Sequence, residues 1–481
     1  MGSWQFWERL SSLLYKRQAK LITNPIPTVA DDKDIRYQVP TTQNILLLHG
    51  PREEYRLTLD HPVPIVAADH EIIVRITGIG LNPIDWKAPG PPYLTTIPIV
   101  KGLMIDQNSA FNFAIPELPY ISGREFVGEI VQKGASSTRL KLGDRVLIPS
   151  TDYRDKRKAA FQQYAVASDF NAIRLPRTLS SEEASTIGVA FVAAVLALGV
   201  CSGLDFSSVL NGPNLLREVR KLDESVLPQD VRRECREGIS EAERVQSGDW
   251  IALWGGSSAT AVIVTQLAQM AGLKVISIVD QAKHGHRVSP SPSLANACAP
   301  DVVVDSHNPE RVIQIVRDIT HGQLRFAIDT RGKESATYLL QTLSGYSKPT
   351  PNNNELPTID DPTTSSPTPQ PTPTPSLTTE STSTASTLIP PLRSHLIGFS
   401  GLPKLDVDDP LNQSVCLHSV PIKVFHEVST IGEKLVVWLE RLLAEGKLRS
   451  PEIVGVEDGL EGVNRGLLKM RQQGGRVVVR I

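Results

Sequence analysis

Between Trp250 and Asp280 the chain changes character in blocks: an apolar run WIALW, four small residues GGSS, a mixed stretch, and a second apolar run LKVISIV. Such runs bounded by glycine predict buried strands at Trp250–Trp254 and Leu273–Val279. Val264, Leu267, Ala268 and Ala271 recur at helical spacing between them, and Gly272 supplies the stop. The unit is therefore strand, turn, helix, strand. The alternation continues with strands at Asp301–Asp305, Leu324–Thr330 and His395–Gly401 and helices from Pro309 to Gly322 and on through Ser344. This βαβα order predicts a parallel sheet.

Upstream the period shortens to two. Asn44–His49, Tyr55–Leu59, Glu71–Gly78, Glu125–Gly134 and Leu142–Ile148 read as short strands of a small barrel or sandwich. Pro83 excludes a central strand at GLNPIDWK, which places Asn82, Asp85 and Lys87 on a loop leaving the sheet. A capped helix is expected to begin at Ser180 or Ser181 and run through Ala184–Gly199. Near the C-terminus, Glu433–Leu448 is an amphipathic helix and Arg476–Ile481 a strand expected to close against the first sheet.

Two stretches break the pattern. Residues 204–246 are charged and helix-prone and read as a surface insertion with a solvated face. Residues 347–391 are rich in Pro, Thr and Ser with no aromatic, a composition that predicts a disordered loop. With 481 residues, the expectation is an α/β chain of two domains plus these extras. Their bounds are an extension over 1–37, a β domain over 38–190 completed by 418–481, and a nucleotide-binding domain over 191–417.

A formal net charge of −2 gives no electrostatic reason to expect nucleic acid as partner. The four cysteines are scattered without a CxxC, so neither a disulfide framework nor a cysteine-rich zinc site is suggested, and the chain reads as intracellular. No run is expected to reach membrane-spanning length. Trp4, Trp7, Leu10 and Leu14, with Arg9, Lys16, Arg17 and Lys20, permit a mitochondrial presequence or a surface helix. A plain terminal extension on a cytoplasmic protein is the simpler reading.

The chemistry concentrates at the GGSSATA turn. Gly255, Gly256, Ser257, Ser258, Ala259 and Thr260 carry no bulk, and a helix start offers free N–H groups to a phosphate. Asp280 ends the second strand roughly twenty residues later, where a ribose hydroxyl partner belongs in a dinucleotide site. Its charge favours NAD(H), whereas Lys283 and Arg287 just beyond it favour the 2′-phosphate of NADP(H). Asp329 counts among the cofactor-binding candidates. Ser, Ala and Thr stand where later glycines of the dinucleotide fingerprint belong, so an ordinary turn remains an open alternative.

GLNPIDWK, EFVGEIVQKG, GDRV and EEASTIGVAFVAAVLAL, followed by the βαβ unit, resemble the medium-chain dehydrogenase/reductase superfamily, in particular its zinc-free quinone-reductase-like branch and fungal trans-acting enoyl reductases. The resemblance covers about 40–345 and 394–481. It implies a GroES-like β-barrel domain and a Rossmann domain with a cleft between them. It also implies NADP(H), or NAD(H), and a small-molecule or carrier-tethered unsaturated substrate. Zinc members carry a histidine where Arg124 stands, and no cysteine precedes Cys201, so no metal is expected in the cleft. Lys87 and Tyr164 are the catalytic candidates, with Asp85 beside Lys87. The resemblance brings Gln473 and Gly474 to the cofactor and Ile187, Ala190, Val195 and the Phe399 region to the pocket wall. A monomer or a homodimer paired through edge strands near Ser394–Gly401 is expected, and a cofactor-binding scaffold without turnover is the alternative function.

Overall fold

The computed structural model describes residues 38–51, 53–89, 115, 117–288, 299–344, 392–405 and 411–481. The expectations for residues 1–20 and 347–391 lie outside the described residues. In chain order the strands of the first part are β1 (Thr42–Leu47), β2 (Arg56–Pro62), β3 (Glu71–Gly80), β4 (Glu125–Lys133), β5 (Arg145–Pro149), β6 (Tyr164–Ser168) and β7 (Ile173–Arg174). Then come β8 (Trp250–Trp254), β9 (Lys274–Val279), β10 (Val302–Asp305), β11 (Phe326–Asp329), β12 (Ser394–Gly398) and β13 (Val415–Ser419). The last two are β14 (Ile453–Asp458) and β15 (Arg476–Arg480).

β8 to β13 form a six-stranded sheet in the order β10-β9-β8-β11-β12-β13, parallel throughout. The order turns back at β8, so the crevice outside the C-terminal ends of β8 and β11 is where such a sheet receives a ligand. β14, β15, β3, β4, β5 and β7 make the main path of a seven-stranded sheet, with β6 added beside β3. The C-terminal strand pairs antiparallel with β3 through Val478↔Gly80 and Arg480↔Gly78, closing the first sheet with the end of the chain.

The largest apolar core joins both sheets. Val127 and Leu147 from the first sheet, the buried helix Gly188–Leu196, and Ile251, Leu253, Val264 and Leu267 all belong to it. Ser180 caps the segment ahead of that helix, accepting from Glu183 N–H, while Glu183 reaches back to the Ser180 backbone. The run Ser181–Cys201 corrects one expectation: it is 21 residues long and apolar enough to cross a membrane. It is 94% buried inside the protein, which makes it a core element here.

Residues 204–246 correct another. Helices Leu215–Lys221 and Gln229–Glu237 place Leu215, Leu216, Val219, Leu227, Cys235 and Ile239 in that core. Each apolar side chain buried there contributes about 1.5–3 kcal/mol, so the segment is a structural part of the domain with charges only on its outer faces. The dimer expectation also changes. β12 lies between β11 and β13, so its backbone groups are already paired; β10 and β13 end the sheet among the described residues.

Candidate active site

The turn after β8 is built for close approach. Gly255 has φ +78°, and a Cβ there would lie 2.4 Å from Thr330 Oγ1 and 2.9 Å from Arg331 Cγ. At Gly256 a Cβ would lie 1.8 Å from Ser277 Oγ on β9, so only glycine lets the turn pack on the neighbouring strand. Ser258 caps the helix Ala259–Met270 by accepting from Ala261 N–H, and its hydroxyl donates to Thr330 Oγ1 at 3.0 Å. Thr330 in turn donates to the carbonyls of Trp254 and Gly255, each at 3.1 Å. Ala259 and Thr260 open the helix, where N–H groups lack intrahelical partners. A glycine cradle and a helix start at a strand-order reversal fit a pyrophosphate.

Asp329 closes β11 beside this turn and is fully buried. Its Oδ1 accepts from the N–H groups of Arg331 at 3.0 Å and Gly332 at 2.7 Å, while Oδ2 has no protein partner. Burial raises its pKa to about 6 against those stabilising bonds. At the other end of the crevice Asp280 caps a short helix by accepting from Lys283 N–H at 3.1 Å. Lys283 Nζ lies 3.6 Å and His307 Nε2 3.7 Å from its carboxylate, so Asp280 has one cation and one imidazole beside it. Arg287 instead pairs with Glu452 at 2.8 Å and donates to the Gln473 carbonyl at 3.3 Å. A Cβ on Gly474 would lie 3.3 Å from His284 Cε1, so the Gln473–Gly474 turn rests on the segment that follows Asp280.

The first sheet supplies the facing wall. GLNPIDWK is a helical turn rather than the expected open loop: Pro83–Lys87 is helical, and Asp85 accepts from Asn82 N–H at 2.8 Å. Proline is compatible with this because it occupies the first turn, where its missing N–H costs nothing. Lys87 is half-buried, its Nζ 5.6 Å from the Trp86 ring centroid. Burial, and then the charge of Arg331, draw its pKa below the ordinary lysine value. Lys87 from one sheet and Arg331 from the crevice of the other are thus electrostatic neighbours.

Around Asp85 lies a buried polar cluster whose tyrosines sequence reasoning missed. Tyr55 donates to the Asp85 carbonyl at 2.6 Å, Tyr120 to the Tyr153 carbonyl at 2.9 Å, and Arg124 to Tyr120 Oη at 3.3 Å. The Arg124 guanidinium lies 3.6 Å from the Tyr153 ring centroid. Burial disfavours its charge, but Tyr153, Tyr120 and Asp85 outweigh that and hold its pKa above the usual guanidinium value. Asp85 is 2% exposed with Oδ1 unpartnered; burial lifts its pKa to about 6, opposed by Arg124. Next to it Arg476 pairs tightly with the buried Glu125 and donates to Asn82 Oδ1 at 2.5 Å, while Glu125 also accepts from Asn82 and from Val189 N–H. The sequence signals for this knot are Asn82 and Asp85 in GLNPIDWK and the pair Arg124-Glu125 at the start of β4.

Other candidates fall elsewhere. Tyr164, on β6, packs with Val39, Val66, Ile73, Val131 and Val166 in a small separate cluster, as a wall residue would. Ile187, Ala190 and Val195 are locked in the main core, with Phe399 against its rim.

Residues 68–177 match the alcohol dehydrogenase GroES-like domain. The chain is 25% identical over 312 residues to the trans-enoyl reductase caaB of Aspergillus niger, an alignment covering 63% of this chain and 67% of that one. Across such curated relatives the matched length runs from 48% to 72% of theirs. Among solved structures, the CurK enoyl reductase superposes with TM-score 0.57 at 14% identity, covering 91% of this chain and 99% of that one. A mycobacterial protein, Rv1454c, solved with NADPH, gives TM-score 0.58 at 16% identity over 92% of this chain and all of that one.

Proposed function

We propose that this chain is a member of the medium-chain dehydrogenase/reductase superfamily and a zinc-independent reductase using NADPH to reduce an activated carbon–carbon double bond. The observation that carries the reading is the glycine turn and helix start at the reversal of strand order, a place suited to pyrophosphate, with the charge of Arg331 felt at Lys87. Nicotinamide bound there supplies the hydride; the protein must orient the acceptor and manage charge. Hydride added to the β-carbon of an enoyl thioester moves an electron pair onto the carbonyl oxygen. Lys87 and Arg331 are placed to stabilise that enolate, and Lys87, with its lowered pKa, to return a proton to the α-carbon. Arg124 occupies the place where a zinc ligand would be needed, and a guanidinium offers no lone pair.

NADPH is favoured because Lys283 and His307 flank Asp280 and offset the charge that would repel a 2′-phosphate. The relatives named as trans-enoyl reductases support an enoyl substrate, and we take a thioester, free or on a carrier, as its form. NADPH consumption with a free enoyl thioester, the same acyl group on a carrier protein, and a simple quinone tests the proposal. Consumption with either thioester, lowered about 100-fold in Lys87→Ala with NADPH affinity kept, supports it. Tight NADPH binding with no acceptor reduced contradicts it and favours a cofactor-binding scaffold.

A further inference from the structure

Far from the glycine turn in sequence, the parallel sheet carries a second cluster of chemically active side chains. Cys416 and His418 are two apart on β13 and so share one face of the sheet; His395 on β12 is in register with Cys416 and joins that face. Both histidines are fully buried. The segment at Ala197–Cys201 and the helix Gln229–Glu237 bring Cys201 and Glu234 to the same place. The donor atoms of His395, Cys416 and His418 all lie within 4.8 Å of one another, as do those of Cys201, Glu234 and His418.

The hydrogen-bond order distinguishes these two triads. Glu234 Oε1 lies 2.7 Å from His418 Nδ1, and His418 Nε2 lies 2.9 Å from His395 Nδ1. An ionised carboxylate can only accept, so His418 Nδ1 carries a proton toward Glu234, and Nε2 is the nitrogen left to face a cation once it carries none. A carboxylate fixing the far nitrogen so that the near one offers its lone pair is how metal-ligating histidines are oriented. His395 Nε2 has no hydrogen-bond partner, so moving that ring's proton there breaks no contact and frees Nδ1 as a second lone pair. The Cys416 thiol donates to the Gly238 carbonyl at 3.4 Å and also interacts with His418.

We propose that His395, Cys416 and His418 bind a divalent cation of the zinc class, with Glu234 orienting His418. Two imidazoles and one thiolate suit a borderline-soft ion. Its two positive charges are balanced by the Cys416 thiolate and the nearby Glu234 carboxylate, which makes burial tolerable. Tetrahedral bonds of about 2.0–2.1 Å to nitrogen and 2.3 Å to sulfur separate ligand atoms by about 3.3–3.6 Å. The two nitrogens would open by a few tenths of an ångström from their present 2.9 Å and the sulfur would close on them from within 4.8 Å. Starting from two neutral rings, the cation takes the place of the proton between them, that proton moves to His395 Nε2, and the Cys416 thiol proton leaves to solvent; if His418 starts protonated, its extra proton leaves to solvent as well. The site ties β12 to β13, with Glu234 on the helix Gln229–Glu237 holding His418, and its three protein ligands leave the fourth position to a water.

The test is metal content of the full chain purified without chelator, followed by cobalt substitution. The expected result is about one equivalent of zinc per chain and, with Co²⁺ after chelation, a thiolate-to-metal charge-transfer band with four-coordinate visible bands. Cys416→Ser should abolish the charge-transfer band, Cys201→Ser should keep it, and Glu234→Gln should weaken zinc binding about 10–100-fold. The cobalt spectrum of the unaltered chain needs no variant, so a misfolded mutant does not blur the outcome. No zinc and no charge-transfer band in the unaltered chain would overturn the proposal in favour of a metal-free His–His–Glu relay. Retention of the band in Cys416→Ser with its loss in Cys201→Ser would overturn it in favour of the other triad.

Discussion

The two walls of the cleft are built by opposite means. The nucleotide side is made of backbone and small residues close in sequence: Gly255, Gly256, Ser258 and the helix start, steadied by Thr330. The side facing it is made of long polar side chains drawn from across the chain, with Tyr55 meeting Asp85 over 30 positions and Arg476 meeting Glu125 over 351. The first is tolerant of what lies elsewhere and intolerant of added volume. The second holds buried charge, and its stability depends on every partner being present.

The largest effect should come from breaking the second wall. Arg476→Met leaves Glu125 buried against Asn82 without its cation, and a loss of about 3–5 kcal/mol in urea unfolding is expected. A loss below about 1 kcal/mol would mean that the knot adds no more than an exposed pair does.

Next is pH. The folded pKa of Asp85, about 6, lies above the ordinary 3.8, so the folded state holds the proton more tightly. The stability this confers is fully present below the unfolded value and is lost as pH rises through the folded one. Relative to Asp85→Asn, the native chain should lose up to about 3 kcal/mol between roughly pH 4 and pH 6.5, read from denaturant midpoints at each pH. Parallel profiles would remove Asp85 from the account.

The first wall should yield to volume alone. Gly256→Ala places a methyl against Ser277 Oγ and should weaken NADPH binding about ten-fold or more, about 1.4 kcal/mol. Adding Ser277→Gly should restore part of it, which a double-mutant cycle measures as coupling. The smallest effect is expected at the ribose end. Lys283→Ala should weaken NADPH a few-fold while leaving NADH nearly unchanged, since Lys283 is exposed beside Asp280.

The same contrast explains what the sequence made legible. A turn between two apolar runs is a local pattern, so Gly255, Gly256, Ser258 and the parallel character of the sheet could be read directly, though not its strand order. Lys87 was reached only through a family resemblance, because nothing local says which lysine faces a cleft. Tyr120, Arg124 and Tyr153 gave almost no signal, since their meaning lies in contacts between separate strands and loops. Residues 204–246 misled for a related reason. Their many charges hide the LLxxV spacing of Leu215, Leu216 and Val219, which packs into the core while Arg217 and Lys221 remain outward. The strand Ser394–Gly398 looked like an edge because the strand that covers it, Val415–Ser419, has a mixed sequence, VCLHS, that did not read as a strand.

The most direct test of the central claim is a titration of the purified chain with NADPH and NADH, read by nicotinamide fluorescence. The account predicts micromolar binding of NADPH, tighter than NADH, and lost with Gly256→Ala before any effect on unfolding appears. Absence of binding to either dinucleotide by a folded chain would contradict it, leaving the Gly255–Gly256 turn as a packing device between β8 and β9.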